Sequence, residues 1–353
     1  MNGLKDFDLV KVNCVIIGGG AVGLAIGAEL SRRKDFTCVV LEAESSYGQG
    51  ISSRNSEVVH AGIYYPKDSL KANLCVRGKE LLYDFCQSRA IPYNQCGKII
   101  VATNEEEIGH LEKLNDAAVR NGVEDLEQLS RKQIQIMEPF VEASAGLFSP
   151  STGIVDSHQL MTSLLGKFEV NGGIFAPNSE VLRVARVGCE YNIAVDNVKR
   201  NDGFVVETPV LINAAGLSAQ RIAEKIDDFP VEVIPKLHLC KGVYFKMTGH
   251  PPFQHLIYPV PPKRGDGLGI HATIDMQGGV KFGPDVEYIE DLDFSIDASK
   301  RKLFFEAIQR YFPHIDIKRL TPDYSGIRPK LQGPNDAFKD FVIMDCDIHG
   351  FPG

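Results

Sequence analysis

Residues 12–23 read Val12-Asn13-Cys14-Val15-Ile16-Ile17-Gly18-Gly19-Gly20-Ala21-Val22-Gly23, and their reading decides the fold. The apolar run to Ile17 predicts a strand. An apolar helical pattern follows to about Arg32, and a second strand, Thr37 to Leu41, ends at Glu42. Strand, glycine turn, helix, strand and acid in this order form the start of a dinucleotide-binding unit. Gly18 serves the tight turn, Gly20 lets the backbone approach a pyrophosphate, and Gly23 lets helix and strand pack closely. The free N–H groups and positive dipole end of the new helix face the phosphates. Glu42 is spaced to accept both ribose hydroxyls of the adenosine half.

Outward from this unit, the 353 residues suffice for about two domains. The net charge is −8 and no dense Lys/Arg stripe occurs, which argues against a nucleic-acid partner. No apolar run approaches the roughly 20 residues of a membrane span, so peripheral membrane contact is the only kind the sequence leaves open. The eight cysteines (Cys14, Cys38, Cys75, Cys86, Cys96, Cys189, Cys240, Cys346) contain no C-x-x-C pair and read as buried thiols of a reducing compartment. The nine histidines show no metal-ligand spacing with them. The first eleven residues carry Lys5, Asp6 and Asp8 but no arginine, unlike a signal or transit peptide.

Capping residues punctuate the rest. Ser69 opens a helix with Leu70, Leu74, Leu81, Leu82 and Phe85 on one face; Asn104 opens a second that Asn121-Gly122 closes. Strand Lys98–Ala102 lies between them. Short helices are predicted over Ser130–Met137, Ser157–Val170 and from Asp297 through Tyr311. Val210-Leu211-Ile212-Asn213-Ala214-Ala215-Gly216 reads as a fully buried parallel strand, and Phe341–Asp345 as a short apolar one. The order predicts an α/β (mixed α+β) chain with a Rossmann-like dinucleotide domain, 1–94, 151–230 and 321–353. It is interleaved with a second domain on an antiparallel or mixed sheet, 95–150 and 231–320.

A single G-x-G-x-x-G suits either NAD alone or FAD reduced directly by a substrate. The polar run Ser52-Ser53-Arg54-Asn55-Ser56 favours FAD, since hydroxyls and backbone N–H groups there suit phosphates and a flavin edge. An NAD-dependent dehydrogenase has no support beyond the glycine motif.

Several further segments carry a resemblance. They are Ser53 to Pro66 (SRNSEVVHAGIYYP), Cys96-Gly97-Lys98, Ser151 to Asp156 (STGIVD), Asn213 to Leu217 (NAAGL) and Leu256 to Pro261 (LIYPVP). To these add Gly267 to His271 (GLGIH), Phe282 to Glu287 (FGPDVE) and Gly326 to Lys330 (GIRPK). With them the chain resembles the L-2-hydroxyglutarate dehydrogenase/oxidase group of the D-amino-acid-oxidase-like flavoproteins. The resemblance implies FAD as cofactor and oxidation of L-2-hydroxyglutarate to 2-oxoglutarate, with a quinone, another carrier or oxygen as electron acceptor. It implies a mitochondrial place in eukaryotes and a cytoplasmic or membrane-associated one in bacteria. Many members carry Arg-Gly where this chain has Lys241-Gly242, and members continue beyond the His349-Gly350-Phe351-Pro352-Gly353 piece. An inactive, C-terminally truncated fragment is therefore one alternative reading, and an amine or amino-acid oxidase of the same fold is another.

The chemistry needs a carboxylate clamp, a base for the hydroxyl proton and a hydride acceptor. Arg328, in a Gly-Ile-Arg-Pro turn, is the clamp candidate. His60 and His271 are the base candidates, since imidazole titrates near neutral pH. Lys241, Tyr258, Lys330 and His271 are candidates for the substrate rim or second carboxylate. Gly18, Gly20, Gly23, Glu42, Ser53, Arg54, Asn55, Ser56, Ala215 and Gly216 are the candidates for binding FAD. The other histidines read as surface or packing residues, and no metal is implied.

Overall fold

A computed structural model describes residues 9–197, 199, 202–260 and 269–351 of the chain. Pro261 of the Leu256 to Pro261 segment, Gly267 and Leu268 of the Gly267 to His271 segment, and the Pro352-Gly353 end of the last motif lie outside the described residues. The chain divides into two units, Met1–Ser53, Ser157–Leu237 and Val342–Gly353 in one, Arg54–Asp156 and His238–Phe341 in the other.

The first unit holds a four-stranded all-parallel sheet in the order Ile174–Ala176, Cys38–Leu41, Cys14–Ile17, Leu211–Asn213. Its two central strands are wholly buried, as their uninterrupted apolar sequences require of a sheet covered on both faces. The helix Ala21–Leu30 packs on Ser157–Val170, where Phe168 is completely buried against Gly27. A second sheet orders Leu9–Lys11, Asp202–Thr208, Glu190–Asn197 and Ser179–Val187. The strand read as fully buried, residues 210–216, contracts to Leu211–Asn213. It is half-exposed, because it forms the edge of its sheet with one neighbour among the described residues.

The second unit is built on a nine-stranded mixed sheet. Lys98–Ala102 is an interior strand, third from one edge, parallel to Leu256–Pro259 on one side and antiparallel to Ala145–Ser149 on the other. The long strands His238–Met247 and Leu320–Lys330 pair antiparallel over most of their length. A small sheet joins Val58–Val59, Gly153–Val155 and Tyr93–Asn94. These non-local pairings place 54–94 and 321–341 in the second unit, not in the first as the sequence reading has it.

The predicted caps Ser69 and Asn104 accept from backbone N–H groups at the starts of Leu70–Arg89 and Glu105–Arg120. Ser130, which the sequence reading gave only as the start of a helix, does the same for Arg131–Met137, and its own N–H donates to the Gln133 side chain. Asp297 caps a short 3-10 turn that leads into Arg301–Gln309, two residues short of Tyr311. Two expectations are corrected. The face of Leu70, Leu74 and Leu81 is exposed, since Leu70–Arg89 buries the small residues Ala72 and Cys86 instead. Phe341–Asp345 forms no strand; no neighbouring strand supplies a ladder there among the described residues, and a four-residue helix, Cys346–His349, follows.

Candidate functional site: a glycine turn and a cationic cavity

In the first unit the glycine turn takes the shape its sequence demands. Gly18 has φ +109°, a region L side chains avoid, and a Cβ there would stand 2.5 Å from the Ala214 carbonyl oxygen. A Cβ on Gly23 would lie 2.0 Å from the Gly18 oxygen, so helix and turn touch backbone to backbone. Gly20 is the N-cap of the helix. Glu42, at the end of its strand, turns back onto the turn and accepts from the N–H of Gly19 at 2.7 Å and of Glu44 at 2.9 Å. Ser52 accepts from the N–H of Ala21 at 3.0 Å. Ala215 and Gly216 follow the strand beside Gly18, with Gly216 at φ +56° opening a 3-10 turn. A backbone-lined turn at a helix N-terminus, flanked by a carboxylate, fits the diphosphate and ribose of an adenine dinucleotide. Ser53 is exposed at the end of the turn Ile51–Ser53, its hydroxyl donating to Gly50 O at 3.0 Å.

In the second unit, Ser56, His60, Tyr244, Tyr258, His271 and Arg328 line a cavity of about 170 Å³, closed by Gly269, Pro284 and Val286. Five strands or strand ends of the sheet converge on it. Arg328 reaches in from Leu320–Lys330 and is fixed by carbonyls: Nη2 donates to Asp285 O at 2.9 Å and to Lys241 O at 3.4 Å, Nε to Cys240 O at 3.4 Å. Among the described residues no carboxylate pairs with it. A guanidinium held rigid by neutral acceptors keeps its charge for an anionic ligand.

His271, 4% exposed, stacks on Tyr258 with ring centroids 3.7 Å apart. Its Nδ1 is buried and has no hydrogen-bond partner. Burial, with the nearby His60 and Lys98, lowers its pKa to about 3; burial, with Lys98, lowers that of His60 to about 4. Both imidazoles are therefore neutral at pH 7 and each offers a lone pair. Burial pushes the Tyr258 phenol well above its usual range and Tyr244 to about 12, so both remain O–H groups.

The structure thus gathers His60, His271, Arg328, Tyr258 and Ser56 and leaves other candidates aside. Lys241 is buried and its ammonium meets Asp293 Oδ2 at 2.6 Å; Lys330 lies over the Tyr288 ring. Neither lines the cavity. Arg54 lies over the Phe294 ring and donates to Ser325 O at 3.1 Å, and Asn55 Oδ1 accepts from the Glu57 N–H. Sequence reasoning missed Tyr244, which sits in the almost continuously buried strand His238–Met247 with no motif. It also missed Lys98, whose signal was present: a lysine opening the otherwise apolar strand Lys98-Ile99-Ile100-Val101-Ala102.

A glycine turn suited to a dinucleotide, and a cavity that sets a guanidinium beside two neutral imidazoles, are features of a cofactor-dependent oxidoreductase. Residues 13–349 match the family model of the FAD-dependent oxidoreductases (DAO), and the chain belongs to that family. It is 38% identical to the mitochondrial L-2-hydroxyglutarate dehydrogenase of Arabidopsis thaliana over 97% of this chain and 78% of that one. It is 36% identical to the mitochondrial human protein of the same name over 97% and 82%. Among solved structures, the dithionite-reduced L-α-glycerophosphate oxidase from Mycoplasma pneumoniae with FAD bound superposes with a TM-score of 0.81. The identity there is 24%, covering 92% of this chain and 85% of that one. No described helix is long and apolar enough to cross a membrane.

Proposed function

We propose that this chain oxidises L-2-hydroxyglutarate to 2-oxoglutarate with FAD as its cofactor. The observation that carries the reading is the pairing of an uncompensated Arg328 with two neutral histidines in one cavity, in a chain this similar to L-2-hydroxyglutarate dehydrogenases. The turn at Gly18, Gly20 and Gly23, with Glu42, Ala215 and Gly216, would hold the adenosine and diphosphate. Bound flavin supplies the acceptor for the two electrons of the α-carbon. Arg328 binds the carboxylate beside the reacting carbon and fixes the orientation of the hydroxyl. His271, through the unpartnered Nδ1, or His60 takes the hydroxyl proton. Tyr258 holds the His271 ring face-on, and the enclosing Pro284 and Val286 limit water. A quinone, another carrier or oxygen accepts the electrons afterwards, and a mitochondrial site follows if the source is eukaryotic, as the names of the two relatives support.

The test is product formation by the FAD-loaded protein with an artificial acceptor in excess. The L isomer should give stoichiometric 2-oxoglutarate and the D isomer none. Equal turnover of both isomers, or turnover of L-glutamate in preference, would overturn the assignment.

A further inference from the structure

Lys98 sits where stability alone gives no reason for a lysine. It opens an interior strand of the nine-stranded sheet, 1% exposed, in register with Leu256 on one side and Ser149 on the other. Its Nζ lies 4.8 Å from the Tyr64 ring centroid and 5.0 Å from that of Tyr258. None of the ion pairs among the described residues includes it. Cation–π contact offsets only part of the cost of desolvating an ammonium. An unbranched apolar residue of the same length would fill the space without that cost. The same Tyr258 ring lines the cavity and stacks on His271, so the buried cation stands directly behind the cavity wall.

The geometry points to Lys98 as a specificity-determining residue: its charge, added to that of Arg328, selects a 2-hydroxy dicarboxylate dianion and rejects the α-ammonium of the corresponding amino acid. This rests on the hydroxy-acid reading above and deepens it. The cavity wall contributes no carboxylate that would welcome an ammonium. A second cation in a low-dielectric setting strengthens dianion binding more than monoanion binding, and opposes a cationic group by the same field. Fold and glycine turn serve hydroxy-acid and amine chemistry alike; the buried charge is what separates them here.

The groups facing Lys98 make this readable by pH. Burial lowers Lys98 to about 7, while Cys75 on the neighbouring helix is pushed up by burial. On the loop after Val59, burial holds Tyr64 above its usual range and Tyr65 at about 12; Tyr258 is likewise raised. His60 and His271, at about 4 and 3, have already lost their protons at neutral pH. Between pH 6 and 9, then, Lys98 is the group of this set that changes charge. A bound dianion stabilises its protonated form, so binding at pH 8 draws a proton from solution, and affinity falls as pH rises through 7.

The experiment is calorimetric titration of the FAD-loaded protein with glutarate, butyrate and L-glutamate at pH 6–9, in buffers of different ionisation enthalpy. Unsubstituted protein should take up a fraction of a proton with glutarate at pH 8 and bind it more weakly as pH rises. Lys98→Met should bind glutarate about tenfold or more weaker at pH 6, with butyrate little changed, no proton uptake and a flat pH profile. Its preference for glutarate over L-glutamate should narrow. Lys98→Met with unchanged glutarate affinity would overturn the assignment, and so would unsubstituted protein that takes up no proton, whether or not the variant folds. Failure of unsubstituted protein to bind glutarate at all would instead overturn the hydroxy-acid reading on which the inference stands.

Discussion

In the proposed reading, substrate recognition turns on Arg328. Three backbone carbonyls hold its guanidinium and no described carboxylate neutralises it. A charge-assisted hydrogen bond contributes about 1.5–3 kcal/mol, so Arg328→Ala should raise KM for L-2-hydroxyglutarate roughly 10- to 150-fold while flavin stays bound. Steady-state kinetics on flavin-replete protein check this, and an unchanged KM removes Arg328 from the clamp. The histidines make a different prediction. With pKa values of about 4 and 3, both imidazoles stay deprotonated well below the usual histidine range. The acid limb of kcat/KM should therefore lie below pH 5, and a limb near 6.5 would show that neither buried imidazole is the base. Of His60→Ala and His271→Ala, the one that removes the base should lower kcat by about 10²–10⁴.

At the scale of elements, the capping chemistry of Ser69, Asn104 and Asp297 was legible because each cap is a local bond between a side chain and the next turn. The glycine turn was legible for the same reason. Gly23→Ala would drive a methyl into the Gly18 carbonyl, so the variant should lose flavin during purification; the ratio of visible to ultraviolet absorbance measures it. What sequence did not disclose was which face meets a neighbour. The leucines of Leu70–Arg89 are periodic, yet Leu70, Leu74 and Leu81 are 40%, 48% and 50% exposed. Periodicity reports amphipathicity, not the partner. Phe341–Asp345 reads as a strand by composition, but a strand exists only where another supplies its hydrogen bonds. In the helix pair Ala21–Leu30 and Ser157–Val170, Phe168→Ala should destabilise the protein by about 3–5 kcal/mol, measured by denaturant unfolding.

At the scale of the whole molecule, the interleaving of two units was visible in the sequence and its boundaries were not. Segments 54–94 and 321–341 belong to the second unit through ladders that join residues far apart in the chain. Val58 pairs with Ile154, Tyr93 with Val155, and Cys240 with Arg328. No local pattern encodes such pairings. The cavity follows the same logic: Arg328, His60 and His271 were named as residue types in suggestive turns, and only the sheet brings them together. The depressed histidines also bear on global stability. The unfolded chain binds their protons at about 6.5 and the folded chain only near 4 and 3. Their contribution is complete above pH 6.5 and is lost as pH falls towards those lower values. The melting temperature should drop through that window, and part of the drop should vanish in His271→Phe.

The central claim is that this cavity delivers an L-2-hydroxy acid to bound flavin. Its most direct test is the visible spectrum of the purified, flavin-loaded protein, recorded anaerobically during titration with L- and then D-2-hydroxyglutarate. The account predicts that about one equivalent of the L isomer bleaches the flavin bands and that the D isomer leaves them intact. Bands that persist through an excess of the L isomer, on protein that retains its flavin, would contradict it.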